Sequence, residues 1–333
     1  MPSHASITLQ DVFAARARIA GRVRQTPLVA SPTLSARVGH PVSLKLECLQ
    51  VTGSFKIRGA TNALLSLTEG ERRRGVVGVS AGNHGRGLAL AAHRLGVRCI
   101  VCMSRLVPQN KIDGIKAHGA DVRIVGDSQD EAEGAVDALV ADGMTMVPPF
   151  DHPAVIAGQG TIGIEVLDDA PDVATVVVPL SGGGLIAGVA LAMKAANPSI
   201  RVIGVSMERG PAMAESVKAG RPIAVKEMPT LADSLGGGIG LSNRYTFAMT
   251  QALVDDIVLV SEKEIAQAIR HAYWQEQVVV EGSGSVGIAA LLAGKIGTDG
   301  HTIGLVSGRN IDMALHKRLI DGEDVEVSAP SAS

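Results

Sequence analysis

Short apolar runs rich in valine and isoleucine alternate along almost the whole chain with segments whose apolar positions recur every three or four residues. This alternation predicts parallel sheets covered by helices, an α/β fold. Near the start, Thr8 and Asp11 form a capping-box-like opening to a helix whose apolar stripe is Val12, Ala15, Ile19 and Val23. A strand is expected over residues 42–47. Two strand-helix-strand units follow, with strands at 76–80, 97–103 and 122–125 and with Gly96 and Gly119 where helix C-caps belong. Another set has strands at 173–178 and 201–205 around a helix running from Leu185 to Asn197, and a late apolar run covers 302–306. The pattern reads as two doubly wound units, with Val147-Pro148-Pro149-Phe150 as punctuation and a cleft between the units as the default ligand site.

Composition narrows the function. At 46% hydrophobic and 19% charged, the 333 residues are those of a globular enzyme rather than a disordered or fibrous chain. A net charge of −2 removes the long-range field that nucleic acid or anionic lipid would need, so the ligand is expected to be small. Three cysteines fit a reducing, cytoplasmic setting. Cys99 and Cys102 form a C-x-x-C, but strand alternation sends them to opposite faces, as buried filler rather than a metal or redox pair. The residues at the start include no secretory apolar region. The charge-free stretch from Val173 to Met193 is interrupted by Pro179-Leu180-Ser181-Gly182-Gly183-Gly184, so it reads as strand, loop and helix, not as a membrane span.

Four segments carry candidate chemistry. In Thr52-Gly53-Ser54-Phe55-Lys56-Ile57-Arg58-Gly59-Ala60, Lys56 sits in the opening turn of an apolar helix, where the helix dipole and Phe55 would depress its pKa towards that of a nucleophilic amine. In Ser80-Ala81-Gly82-Asn83-His84-Gly85-Arg86-Gly87, small residues at a strand-to-helix turn expose N–H groups to an anion, and Ser80, Asn83 and His84 add donors. Ser181-Gly182-Gly183-Gly184-Leu185 is the strongest phosphate cradle in the sequence. It also satisfies G-x-G-x-x-A through Gly182, Gly184 and Ala187, with Glu208 about 20 residues on, which keeps a nicotinamide-dependent oxidoreductase open as an alternative. In Ser307-Gly308-Arg309-Asn310, a serine ending a late strand can bond a heterocyclic nitrogen without bringing charge.

In order and spacing these segments, with Gly158-Gln159-Gly160-Thr161, resemble the fold type II pyridoxal-phosphate (PLP) enzymes, specifically the serine/threonine dehydratase branch. The resemblance implies a tryptophan synthase β-like pair of doubly wound domains with the cofactor in the cleft: a large PLP-binding domain of residues 1–68 and 152–333, and a small substrate-clamping domain of 69–151. It implies that Lys56 holds PLP as a Schiff base and later takes the α-proton, that Phe55 covers the ring, and that Asn83 bonds the ring hydroxyl. Ser181, Gly182, Gly183, Gly184 and Leu185 would hold the phosphate, and Ser307 would meet the ring nitrogen with Glu281 nearby. Ser80, Ala81, Gly82, Asn83 and His84 would clamp the substrate carboxylate, with Gln159, Asp233 and the 236–240 loop shaping specificity. A neutral hydroxyl at the ring nitrogen suits elimination, giving an oxo acid and ammonia.

Two departures from the family pattern matter. Serine racemases of the family carry a serine at Ala81, so racemisation is disfavoured but stays an alternative. Members with a structural divalent cation carry a glutamate where this chain has Ser206, although Glu208 leaves that question open. Val147-Pro148-Pro149-Phe150-Asp151-His152-Pro153, Gly204-Val205-Ser206-Met207-Glu208-Arg209-Gly210 and Thr230-Leu231-Ala232-Asp233-Ser234-Leu235-Gly236-Gly237-Gly238-Ile239-Gly240 look like the hydroxyectoine-utilisation dehydratases. The nitrogens of hydroxyectoine belong to a cyclic amidine, so the expected substrate is a ring-opened hydroxy-diaminobutyrate with a free α-amine. The family's habit further implies a homo-oligomer, dimer or tetramer.

Overall fold

A computed structural model describes residues 7–80, 82–105, 107, 109–126, 129–297 and 299–327. Ala81, expected at the substrate carboxylate, lies outside the described residues. The strands are β1 (Leu28–Ala30), β2 (Val42–Lys45), β3 (Val76–Val79), β4 (Cys99–Met103), β5 (Asp121–Ile124), β6 (Thr145–Met146), β7 (Val173–Pro179), β8 (Arg201–Met207), β9 (Asp256–Val260) and β10 (His301–Leu305). They form a six-stranded sheet of order β1-β2-β10-β7-β8-β9 and a four-stranded sheet of order β5-β4-β3-β6. Among the strands of the described residues, only the edge strand β1 pairs antiparallel.

Helices cover the sheets, so the inner strands are apolar on both sides, as parallel strands must be. Along β7, Val177 belongs to one core and its neighbours Val176 and Val178 to the other. Along β4, Cys99 joins Val101 and Met103 on one side, while Ile100 and Cys102 face the opposite core. The two cysteines are therefore buried filler on opposite faces. The stretch from Val173 to Met193 is a strand, a turn and the start of the helix Gly184–Ala196, and no helix among the described residues is long and apolar enough to cross a membrane.

The sequence pattern overran β2, which ends at Lys45, after which Glu47–Leu49 turns as a 3-10 helix. The reason is a buried ionic cluster beneath the helix Lys56–Ser66. Arg58 bonds Glu47 through Nε (2.8 Å) and Nη2 (2.8 Å), and Glu165 through Nη1 (2.6 Å) and Nη2 (2.8 Å). Lys45 Nζ meets Glu165 at 2.8 Å and donates to the Thr26 carbonyl at 2.7 Å. Charges this deep persist only when paired and bonded, so the cluster fixes the chain around the helix that begins at Lys56.

Candidate active site

Lys56 opens its helix behind Phe55, whose backbone is already helical. The preceding segment is tied to the loop after β10: Phe55 N donates to Ser307 O at 3.1 Å, Arg309 N to Gly53 O at 2.9 Å, and Ser54 bridges Gly308 antiparallel. The first and fourth candidate segments, far apart in sequence, are thereby neighbours because β10 inserts between β2 and β7. The Lys56 amine is half-buried, donates to the Pro149 carbonyl at 2.7 Å and lies 5.3 Å from the Phe55 ring centroid. Burial lowers its pKa from 10.5 to about 8.

The Pro149 carbonyl links this amine to the glycine loop, because Phe150 packs on that loop. A Cβ at Gly182 would fall 2.3 Å from the Phe150 ring, and one at Gly184 2.9 Å from the Phe150 backbone. Gly183 has φ +87° and would place a Cβ 2.8 Å from Met213 Cε, so three consecutive glycines are sterically required. Gly183 is the N-cap of the helix Gly184–Ala196 and provides no side-chain cap, so the first N–H groups of the helix are left for a ligand or water. Ser181 is half-buried and Leu185 buried at the same turn. Thr250 Oγ1, buried and without a hydrogen-bond partner among the described residues, lies 3.2 Å from the Cβ position of Gly183.

At the second candidate segment, Gly82 N donates to Ser80 Oγ at 3.2 Å where the helix Asn83–Leu95 begins. His84 Nε2 lies 2.8 Å from the Val147 carbonyl. Burial, with the Lys56 charge beside it, pushes the His84 pKa down to about 3, so the ring is neutral and Nε2 is the donor. Asn83 Nδ2 donates to Glu281 Oε1 at 2.6 Å, and Asn310 Nδ2 donates to Asn83 Oδ1 at 2.5 Å. Glu281 Oε2 accepts from Asn310 N at 2.9 Å, and Asn310 Nδ2 also reaches Thr52 O at 2.9 Å. Gly308 admits this network, since a Cβ there would fall 2.3 Å from Glu281 Oε1. Burial, then the nearby Asp233 carboxylate, raises the Glu281 pKa to about 7.

The structure therefore brings Phe55, Lys56 and Ser307 together, joins Asn83 to Glu281, and links the glycine loop to Lys56 through Pro149 and Phe150. Gln159 is placed differently from Asn83 and His84: its Oε1 accepts from Gly59 N at 3.2 Å, and its amide holds the helix Pro153–Asp169 on the Lys56 helix. Glu208 is exposed and its carboxylate faces Lys295 at 3.7 Å. Ser206 Oγ contacts Met207 Sδ at 3.4 Å, and no group of three potential metal ligands occurs among the described residues.

These residues suit an aldehyde cofactor carrying a phosphate. They offer an amine of depressed pKa, an aromatic face, an uncapped helix start behind obligatory glycines, and a buried hydroxyl lacking a partner. Comparison with known proteins agrees. The profile of the pyridoxal-phosphate dependent enzyme family matches residues 19–308. The chain belongs to this family. Pyridoxal phosphate is accordingly its cofactor, and its relatives put this PLP-dependent enzyme among the lyases. It is 56% identical over 319 residues to a putative threonine dehydratase of Sinorhizobium fredii, covering 95% of this chain and 96% of that one. It is 45% identical over 317 residues to the L-threonine ammonia-lyase of Thermotoga maritima, covering 95% and 78%. Among solved structures, maize serine racemase superposes with a TM-score of 0.88 at 34% identity, over 94% of this chain and 98% of that one.

Several features of this PLP-dependent enzyme were not legible beforehand. Asn310 stood inside a recognised segment, but its role depends on Thr52, Asn83 and Glu281, three other parts of the chain. The Pro149 carbonyl carries no side-chain signal at all. Phe150 read as punctuation, and only its meeting with Gly182 and Gly184 shows why an aromatic stands there.

Proposed function

We propose that the enzyme eliminates water from a β-hydroxy-α-amino acid, with threonine or serine among those accepted, and releases a 2-oxo acid and ammonia. The observation that carries this reading is the half-buried Lys56 amine with a pKa of about 8, bonded to the Pro149 carbonyl and close enough to His84 for its charge to act on that ring. Bound PLP supplies the electron sink that lets the α-proton and the β-hydroxyl depart. Lys56 anchors the cofactor and then moves the α-proton on Nζ. Phe55 would cover one face of the cofactor ring, and Ser181, Gly182, Gly183, Gly184 and Leu185 would hold its phosphate. Asn83, oriented by Glu281 and Asn310, would bond the ring hydroxyl, and Ser307 would meet the ring nitrogen without adding charge. Ser80, Ala81, Gly82, Asn83 and His84 hold the substrate carboxylate, while Gln159 supports the site through the Lys56 helix. Residues 1–68 with 152–333 act as the cofactor-binding unit and 69–151 as the clamp, a division supported by the separate four-stranded sheet.

The finer reading places the enzyme in hydroxyectoine breakdown, acting on the ring-opened hydroxy acid with a free α-amine. The support is the similarity of the 147–153, 204–210 and 230–240 segments to hydroxyectoine-utilisation dehydratases. A panel of β-hydroxy amino acids including opened hydroxyectoine, scored by oxo-acid release, tests both levels. Consumption of the intact ring but not the opened acid overturns the finer one, and no oxo acid from any substrate overturns the coarser. The likeness to maize serine racemase favours racemisation as a second reading, which chiral analysis of residual serine in the same assay separates. The proposal includes a homo-oligomer in the cytoplasm. Trp274, 62% exposed, and Met313, 59% exposed, are apolar surface that such an assembly could cover, and sedimentation tests it.

A further inference from the structure

We propose that Arg86 reads a second carboxylate on the substrate, so that the preferred β-hydroxy-α-amino acid is a dicarboxylic one such as 3-hydroxyaspartate; this rests on the elimination reading above. Arg86 stands one turn into the helix Asn83–Leu95, whose first residues form the proposed carboxylate clamp, and helical side chains lean back towards the helix start. Its guanidinium lies against Gly114 in the neighbouring helix Gln109–Lys116. A Cβ at Gly114 would fall 2.3 Å from Arg86 Cζ and Nη2 and 2.5 Å from Nη1. Gly114 does not need a left-handed backbone, and inside a helix only proline is less favourable than glycine. A larger residue at that position would push the guanidinium aside.

The guanidinium so accommodated is half-buried and, among the described residues, has neither a hydrogen bond nor an ion pair. The acidic groups nearby are already engaged. Asp233 takes Lys111 at 2.8 Å, and Glu281 is held by Asn83 and Asn310. The field of Glu281 reaches Arg86 and opposes the lowering of its pKa by burial, and the Arg86 charge in turn helps hold down the pKa of His118, just past the Gln109–Lys116 helix. A partly desolvated cation without a counter-charge is costly, so an anion brought by a ligand would complete it. The cofactor phosphate is not that anion in the proposed arrangement, because the glycine loop follows β7 of the other sheet. Nor is it the α-carboxylate, which the 80–84 turn takes. A distal carboxylate remains, and a guanidinium can hold it through two parallel bonds.

The reaction then balances without oxidant or reductant. 3-Hydroxyaspartate loses its α-proton and β-hydroxyl as water. The enamine released tautomerises to an imine, and water hydrolyses that to oxaloacetate and ammonia. The same cation disfavours substrates with a free γ-ammonium. Opened hydroxyectoine fits better while its γ-nitrogen keeps the acetyl group left by opening the amidine.

The test compares kcat/KM for 3-hydroxyaspartate and threonine in the holoenzyme and its R86Q, R86K and G114A variants, and titrates each calorimetrically with malate, a hydroxy-dicarboxylate without the amine. Removing one charge-assisted contact is expected to lower the selectivity for 3-hydroxyaspartate over threonine about 10- to 100-fold in R86Q, mainly through KM. R86K is expected to keep part of it, and G114A to behave like R86Q because its Cβ displaces the guanidinium. Malate binding should weaken in parallel. Equal losses for both substrates in R86Q, or unchanged selectivity in G114A, overturn the role of Arg86. If no amino acid is dehydrated, the elimination reading fails on its own account, and equal malate affinity in wild type and R86Q then overturns this inference separately.

Discussion

Replacing Glu281 by glutamine gives the sharpest test of the network behind Asn83. The side chain is 3% exposed and accepts from Asn83 Nδ2 at 2.6 Å and Asn310 N at 2.9 Å. Burial and the field of Asp233 raise its pKa from 4.5 to about 7. Between those values the folded protein holds a proton that the unfolded chain has lost. The stabilisation from the raised pKa is therefore fully present below 4.5 and is lost as pH rises through about 7. At about 1.4 kcal/mol per pH unit, the loss is roughly 2–3 kcal/mol between about pH 5 and about pH 8. Glutamine cannot titrate, and its amide must turn a donor towards Asn83 or Asn310, which costs a constant offset of about 1–3 kcal/mol. Urea unfolding of the cofactor-free protein across this range measures both quantities. The difference in stability between wild type and Glu281→Gln should shrink by roughly 2–3 kcal/mol on going to the higher pH. A difference that does not change with pH refutes the raised carboxyl, and with it the account of why Gly308 leaves that carboxylate room.

Three further outcomes follow from the geometry. Arg58→Met strands Glu47 and Glu165 in the interior and should cost about 3–5 kcal/mol, read as a fall in the thermal midpoint of the cofactor-free protein. Gly183→Ala combines a φ of +87° with a Cβ 2.8 Å from Met213, so spectrophotometric titration should show at least about tenfold weaker PLP binding. With a pKa of about 8, Lys56 carries about 300-fold more free amine at neutral pH than an ordinary lysine; the rate of cofactor uptake should therefore level off above about pH 8 in stopped-flow absorbance. A rate still climbing towards pH 10 would show an ordinary, solvated amine.

Much of the architecture was legible because it is written in local patterns. Asp11 Oδ2 accepts from Thr8 N at 2.8 Å, and Val12, Ala15 and Ile19 are buried as their spacing implied, whereas Val23, expected on the same stripe, lies past the helix end at Ile19 and is half-buried. Gly96 is a left-handed C-cap, and Gly119 has φ +89° at the end of the next helical segment. The strands that escaped notice all lie at sheet edges, β1 and β9 in the six-stranded sheet and β6 in the four-stranded one; β1 and β6 span only three and two residues, whereas β9 does carry a legible apolar run, Ile257-Val258-Leu259-Val260. The glycine loop and the Lys56 turn were readable since each needs special residue types in one place. The Asn83–Glu281–Asn310–Thr52 network was not, because it depends on strand order. The Lys45–Glu165–Arg58–Glu47 cluster was missed for a different reason: charged residues read as solvated until their partners are seen.

The central claim concerns one bond, between the Lys56 amine and pyridoxal phosphate. Borohydride reduction of the holoenzyme followed by peptide mass spectrometry measures it directly. The account predicts a phosphopyridoxyl group on the peptide containing Lys56, loss of the visible absorption band, and neither signal in Lys56→Ala. A reduced adduct mapped to another lysine, or an unmodified Lys56 in fully active enzyme, would contradict it.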